Sequence, residues 1–326
     1  MTASLLMIID WGFYAVSVAS VVAWIWVLNR YVKSGVPPVQ PRSRPEPFWS
    51  LAEFFLMLGL SMVCTVAAVL TARRYWGPPV ESNLASDVPI GDLETAASAT
   101  QGVGDAVAVA VAGSVVLICM LVQMGLTQRR FLSRSGLWPE LEDIRLGAVA
   151  SVFILPPVLW LATLLEKLVP YEHNVLNLIQ SNPVPSVFWA MAFSAIAVAP
   201  IFEEFMFRML LQGGGERMIR RSQRLSRTKS VTDEEIASLE TVSADEIATW
   251  SWWPLVISGL LFSLAHRGQG AAPIALFFFA LGLGYIYRQT GRLWPCITVH
   301  LILNTVSLSA TILQAITKDH ASSFTP

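Results

Sequence analysis

Eight apolar stretches recur along the chain, at 5–28, 48–72, 106–127, 146–168, 185–211, 252–267, 271–287 and 294–316. A bilayer core about 30 Å thick takes about 20 apolar residues per helix, within roughly 17 to 25. The sixth and seventh stretches are short for a crossing and the others reach it. The pattern predicts an all-α polytopic membrane protein with about eight transmembrane helices. Between them, 34–47 carries Pro37, Pro38, Pro41, Pro45 and Pro47, which predicts an extended, helix-free connector. The segment 73–104 scatters Glu81, Asp87, Asp92 and Glu94 among small residues and reads as a flexible acidic loop. In the longest polar segment, 212–249, Gly213, Gly214 and Gly215 predict the end of the fifth helix. Two capping boxes, Thr232 with Glu235 and Ser243 with Glu246, predict one or two short surface helices there.

The positions of Lys and Arg orient the helices, because cytoplasmic loops carry the excess. Four fall in 29–47, four in 128–145, six in 212–249 and two in 288–292, which is sixteen on alternate loops. The opposite loops hold Arg73, Arg74, Arg267 and Lys318, while Lys167 and Arg208 lie inside helices. Both termini are therefore expected on the non-cytoplasmic side of a plasma or inner membrane. Trp24, Trp26, Trp49, Trp138, Trp250, Trp252, Trp253 and Trp294 cluster near the expected cytoplasmic boundary, as an aromatic belt would.

Composition agrees: 54% of the 326 residues are hydrophobic and 14% charged, against roughly 25% charged in soluble domains. A net charge of -1 gives no basic field for nucleic acid. The first apolar stretch lacks a basic flank and a small-x-small cleavage pattern, so it is expected to stay as a helix rather than leave as a signal peptide. Cys64, Cys119 and Cys296 have no metal or redox spacing and are expected to be free thiols. The Tyr171-Glu172-His173 cluster reads as a solvated loop, and Phe277, Phe278 and Phe279 as lipid-facing or packing surface.

Charges inside a membrane helix cost about 2.5 to 3.5 kcal/mol each on insertion scales, and so need a partner or a function. The fifth helix has three, in Ala199-Pro200-Ile201-Phe202-Glu203-Glu204-Phe205-Met206-Phe207-Arg208. Glu204 and Arg208, four apart, share a face and can pair. Glu203 points about 100° away, with no local cation, and is free to accept a proton. Pro200 withholds an N–H and is expected to bend the helix. Phe262 and His266 are likewise four apart in the sixth helix, as are His300 and Asn304 in the eighth. A structural charge cluster explains the glutamates and arginine taken alone, but it does not explain two membrane histidines beside them.

The ordered set Glu203-Glu204-x-x-x-Arg208, Phe262-x-x-x-His266 and His300-x-x-x-Asn304 resembles the motifs of the CAAX-protease and bacteriocin-processing (Abi) family of intramembrane peptidases. The likeness covers roughly Phe188 to Ala315 and leaves the first three helices outside. It implies an active site buried among the C-terminal helices. There Glu203 and His266 would activate a water, and His300 and Asn304 would stabilise the oxyanion. Glu204, Arg208 and Phe262 would support them. The chemistry is physically sound: a carboxylate in a low-dielectric cavity becomes a better base, and positioned donors at an oxyanion contribute several kcal/mol.

Two alternatives stand for the class of peptidase. Glu203, His266 and His300 could supply the three ligands of a catalytic zinc. The lack of a His-Glu-x-x-His run, and the rarity of Asn as a zinc ligand, favour metal-free glutamate-type chemistry. The expected division is an N-terminal transmembrane region at 1–145 and a peptidase core at 146–326 with a cytoplasmic insertion at 212–249. The expected activity is endoproteolysis of a membrane-associated protein or peptide. The alternatives are a catalytically silent scaffold or immunity protein of the same fold, and a transporter using the acids as a proton relay. Depths counted from the cytoplasmic helix ends at about 1.5 Å per residue are uneven: Glu203 about 12 Å, His300 about 9 Å and His266 about 21 Å.

Overall fold

The computed structural model describes residues 2–76, 90–127, 135–169, 185–227 and 241–322. Arg129, Arg130, Arg134, the Tyr171-Glu172-His173 cluster, Lys229 and the Thr232–Glu235 capping box lie outside them, as do Glu81 and Asp87. The described residues are helical apart from loops and one two-residue strand pair. The helices are α1 (Thr2–Ser34), α2 (Leu51–Trp76), α3 (Ile90–Thr127), α4 (Leu141–Glu166), α5 (Pro185–Phe193), α6 (Ala199–Glu204), α7 (Gly214–Arg227), α8 (Ala244–Ala248), α9 (Trp253–Ala265), α10 (Ala272–Thr290) and α11 (Trp294–Ser322). All eight apolar stretches fall on helix. Among the described residues, five helical segments are long and apolar enough to cross a membrane: Trp11–Ser34, Leu51–Tyr75, Gly104–Thr127, Leu141–Glu166 and Trp294–Leu313. The fold is all-α and polytopic, as the hydropathy pattern requires.

The fifth apolar stretch is not one regular helix. α5 passes into a π-helical turn, Ser194–Val198, then α6, then a π-helical stretch, Phe205–Gly213. Pro200 has no N–H to return to the carbonyl one turn back, and the widened turn just before it absorbs that loss. Nor do Gly213, Gly214 and Gly215 end the helix, which runs on into α7. Their role is close approach. A Cβ on Gly213 would come within 2.9 Å of Trp49 Nε1 and 3.0 Å of the Tyr287 hydroxyl, and one on Gly214 within 3.0 Å of the Ser50 backbone.

The chain divides into two compact units. One comprises Met1–Phe54, Thr127–Tyr171 and Glu203–Leu303. In it α4 packs against α1 and α10, and α9 packs antiparallel on α10 and against Phe205–Gly213. The Trp24 indole donates to the Phe153 carbonyl. A Cβ on Gly147 would lie 2.5 Å from Thr298, so only glycine lets α11 this near α4. The other unit comprises Phe55–Leu126, Glu172–Phe202 and Asn304–Pro326, and contains most of α2 and α3, joined by the Arg73–Asp105 ion pair at 2.7 Å.

The proline-rich connector is helix-free as expected, yet it is fixed rather than loose. Its β1 (Arg44–Pro45) pairs antiparallel with β2 (Thr241–Val242). Arg44 is buried, donates to Glu216 at 3.0 Å and to the Tyr287 carbonyl at 3.2 Å, and packs against Gly291, whose φ of 65° closes α10. Arg220 pairs with Glu46 at 2.6 Å, and Arg288 donates to the Trp250 carbonyl at 2.6 Å. Three of the basic residues assigned to cytoplasmic loops are therefore buried partners in an ionic base. Trp49 and Trp250, assigned to the aromatic belt, are core residues at 2% and 7% exposure. The expected Ser243 cap is present, its hydroxyl accepting from the Glu246 N–H. Arg292 donates to Asp143 at 2.6 Å and pairs with Glu140 at 2.9 Å, tying the α10–α11 turn to the start of α4. Burial opposes the Arg292 charge, but Asp143 and Glu140 outweigh it and hold the guanidinium above its ordinary range. Phe278 is exposed while Phe279 is fully buried, so the phenylalanine stripe serves both surface and core. The three cysteines are free.

Candidate active site

Glu204 and Arg208 form the expected pair, 3.0 Å apart with both side chains fully buried. Arg208 also donates to the Ser258 hydroxyl at 3.3 Å, which in turn donates to the Phe207 carbonyl at 2.7 Å. Its guanidinium lies 5.2 Å from the centre of the Phe262 ring. The second carboxylate oxygen of Glu204 meets His300 Nδ1 at 2.8 Å. That bond went unseen in the sequence, because α6 and α11 are nearly a hundred residues apart. Ser258, also missed, had a legible signal: 258, 262 and 266 recur at four-residue spacing on one face.

His266 is not inside a helix but caps α9, with φ −98° and ψ 15°. Its Nδ1 lies 2.9 Å from the Phe262 carbonyl. A carbonyl only accepts, so Nδ1 carries the proton and the ring is folded back by about one turn. The Ser258–Phe207 bond sets α9 level with the Glu203 helix, so Glu203, one turn before Phe207, stands level with Phe262, one turn after Ser258. The His266 ring reaches back to that level. Cys296 Sγ donates to the Leu283 carbonyl at 3.3 Å, and one turn on His300 packs edge-on against Phe279 and Phe262 with centroids 5.2 and 5.8 Å away.

The result is a convergence on Glu203. Its Oε2 is buried with no hydrogen-bond partner. It lies 3.9 Å from His266 Nε2 and 3.8 Å from His300 Nε2, too far for direct hydrogen bonds. Because both Nδ1 atoms face acceptors, it is the Nε2 atoms that face Glu203. A ring that is neutral there offers a lone pair, and a group hydrogen-bonded to both it and the carboxylate must donate to each. Asn304 lies in the other unit, where its amide donates to the Ala195 carbonyl at 2.7 Å, leaving one N–H to spare.

Glu203, His266 and His300 have the donor chemistry of a zinc site, each imidazole being held through its other nitrogen. Their spacing is wider than that of an occupied tetrahedral site. Tetrahedral bonds of about 2.0 to 2.1 Å bring ligand atoms to about 3.3 Å from each other. Here the carboxylate-to-imidazole separations are 3.9 and 3.8 Å. Among the described residues no group of three or more His, Cys, Asp or Glu stands ready to hold a metal.

Residues 185–306 match the family described as type II CAAX prenyl endopeptidase Rce1-like. The match contains every residue of the three motifs and coincides with most of the stretch marked out by them. No curated protein and no solved structure matches the chain. With its apolar spans, the chain is an integral membrane protein, and its residues 185–306 are similar to a family of membrane proteases.

Proposed function

Starting from the premise that residues 185–306 form an Rce1-like endopeptidase domain, we propose that the protein is an intramembrane endopeptidase of the glutamate type. It hydrolyses a peptide bond in a membrane-associated protein or peptide. The observation that carries the reading is the orphaned Glu203 Oε2, facing two imidazole nitrogens at 3.9 and 3.8 Å, separations that one water hydrogen-bonded to both sides can bridge. A water there donates one hydrogen to Glu203 and one to a histidine Nε2, leaving its oxygen lone pairs for a substrate carbonyl. As the oxygen attacks, Glu203 takes the proton, and it later delivers that proton to the departing amine. The oxyanion takes its donor from an imidazole that already carries a proton at Nε2 when the water attacks, so no second proton is drawn from the water. His300, braced by Glu204, suits that task, and the resemblance to the family's motifs gives Asn304 as the second donor.

A silent scaffold has no use for an uncompensated carboxylate beside two inward-facing imidazoles, which costs stability and returns none. The test is a comparison of membrane and secreted peptides, by mass spectrometry, between cells with the wild-type chain and cells with Glu203→Gln. A set of termini present only with the wild type supports the peptidase. Identical peptide sets with equal amounts of folded protein would overturn it.

A further inference from the structure

The Rce1-like match begins at Pro185, yet part of the apparatus around the catalytic residues comes from far outside it. The Trp49 indole, 2% exposed, donates to the Met209 carbonyl at 2.6 Å. Met209 sits in the π-helical stretch that begins immediately after Glu204. Such π-helical stretches are rare and frequently lie at functional sites. Here an indole N–H from another segment bonds one of the stretch's carbonyls. Next to it, Arg217 donates to the carbonyls of Phe48 and Trp49, so the strap is bonded on both of its edges.

The glycine run is shaped for this strap. A methyl on Gly213 would press on Trp49 Nε1, and one on Gly214 on the backbone of Ser50 and Leu51. Five residues beyond Trp49, Phe54 begins a continuous line of rings. Phe54 and Phe207 have centroids 6.5 Å apart, and Phe207 and Phe262 are edge-on at 5.3 Å. Phe262 in turn touches His266 at 4.9 Å and His300 at 5.8 Å. Every one of these residues belongs to the same compact unit.

We infer that the segment Phe48–Phe54 is part of the peptidase, and that Trp49 is a positioning residue for it. By holding Met209, Trp49 sets the rotation of the helix that carries Glu203, and through Phe207 and Phe262 it keeps both imidazoles turned toward the carboxylate. The inference deepens the peptidase reading and rests on it only for its kinetic consequence. Reactive groups misplaced by about 1 Å can cost on the order of 10²-fold in rate, so a packing device this near the site acts on turnover rather than on substrate capture.

The experiment uses the full chain in detergent and two variants that disturb one contact from opposite sides. Trp49→Phe keeps a ring and removes the donor; Gly213→Ala keeps the donor and pushes it away. The chain has four histidines, so ring-labelled histidine gives a resolvable NMR spectrum, assigned by single substitution. At a fixed pH, both variants should move the His266 and His300 ring resonances and leave those of His173 and His320 unmoved. With a peptide whose release depends on Glu203 as the probe, each variant should lower kcat about tenfold or more, with KM within about twofold. The double variant should be little worse than either single one. Unmoved His266 and His300 resonances in both folded variants would overturn the assignment, whatever the activity. So would full kcat in both while Glu203→Gln is dead. If the resonances move as expected but no Glu203-dependent peptide exists, the peptidase reading fails and the positioning contact stands.

Discussion

Replacing Arg208 and replacing Glu203 should have opposite consequences, although the two residues lie little more than one helical turn apart. Arg208→Ala removes a fully buried guanidinium and its bonds to Glu204 and Ser258. It leaves the Glu204 carboxylate buried and short of a cation. Breaking a buried pair in this way costs about 3 to 5 kcal/mol. The His300 Nδ1 contact to Glu204 survives the change, so the loss should lie near the lower end, about 3 kcal/mol, or about 10²-fold in the ratio of folded to unfolded protein. Glu203→Gln is nearly isosteric at a side chain that is 23% exposed and whose Oε2 has no partner. It deletes an uncompensated charge, and stability should hold or rise slightly while cleavage disappears. Thermal unfolding of the purified variants in detergent, beside membrane abundance and the peptide comparison, separates the two. Equal loss of folded protein in both variants would refute the division into base and brace, and would leave Glu203 as one more member of a structural charge cluster.

Chelation and zinc analysis test the metal question: cleavage should survive chelators, whereas stoichiometric zinc whose removal and return switch activity off and on would contradict the glutamate-type reading. Asn304→Ala should lower turnover by about 10² to 10³ with little change in KM, as loss of an oxyanion donor does, and measuring both constants checks it. Gly214→Ala forces a methyl to within 3.0 Å of the Ser50 backbone and should cost about 1 to 3 kcal/mol, read as a lowered unfolding temperature. For orientation, cysteines introduced at Ser34 and Gly268, with Cys64 and Cys119 replaced, should differ: an impermeant thiol reagent applied from outside should label Gly268→Cys and spare Ser34→Cys, and the reverse would invert the topology.

Much of this architecture is written into hydropathy. A membrane interior admits few chain conformations other than helix, so the apolar stretches identified the helices before any tertiary contact was known. Charge in such stretches is costly enough that Glu203, Glu204, Arg208, His266 and His300 announced themselves, and four-residue spacing paired Glu204 with Arg208 correctly. Intrahelical neighbours are a property of sequence and helical geometry alone.

What crosses between helices was decided only by the fold. No spacing rule ties His300 to Glu204, or Ser258 to Arg208, because these contacts depend on which faces meet and at what height. Nor does position along the helix reveal that the His266 ring folds back by a turn to the Phe262 carbonyl. The glycines at 213–215 looked like a helix end because glycine is the residue favoured there, but the same missing side chain equally permits close packing, and here Trp49, Ser50 and Pro254 fill the space. Arg44, Arg220 and Arg288 enter the charge asymmetry along the chain, yet their burial with Glu216, Glu46 and Trp250 could not be read from position along the chain. A charge between two helices looks the same in sequence whether water or another part of the protein neutralises it, and only the packed structure distinguishes the two.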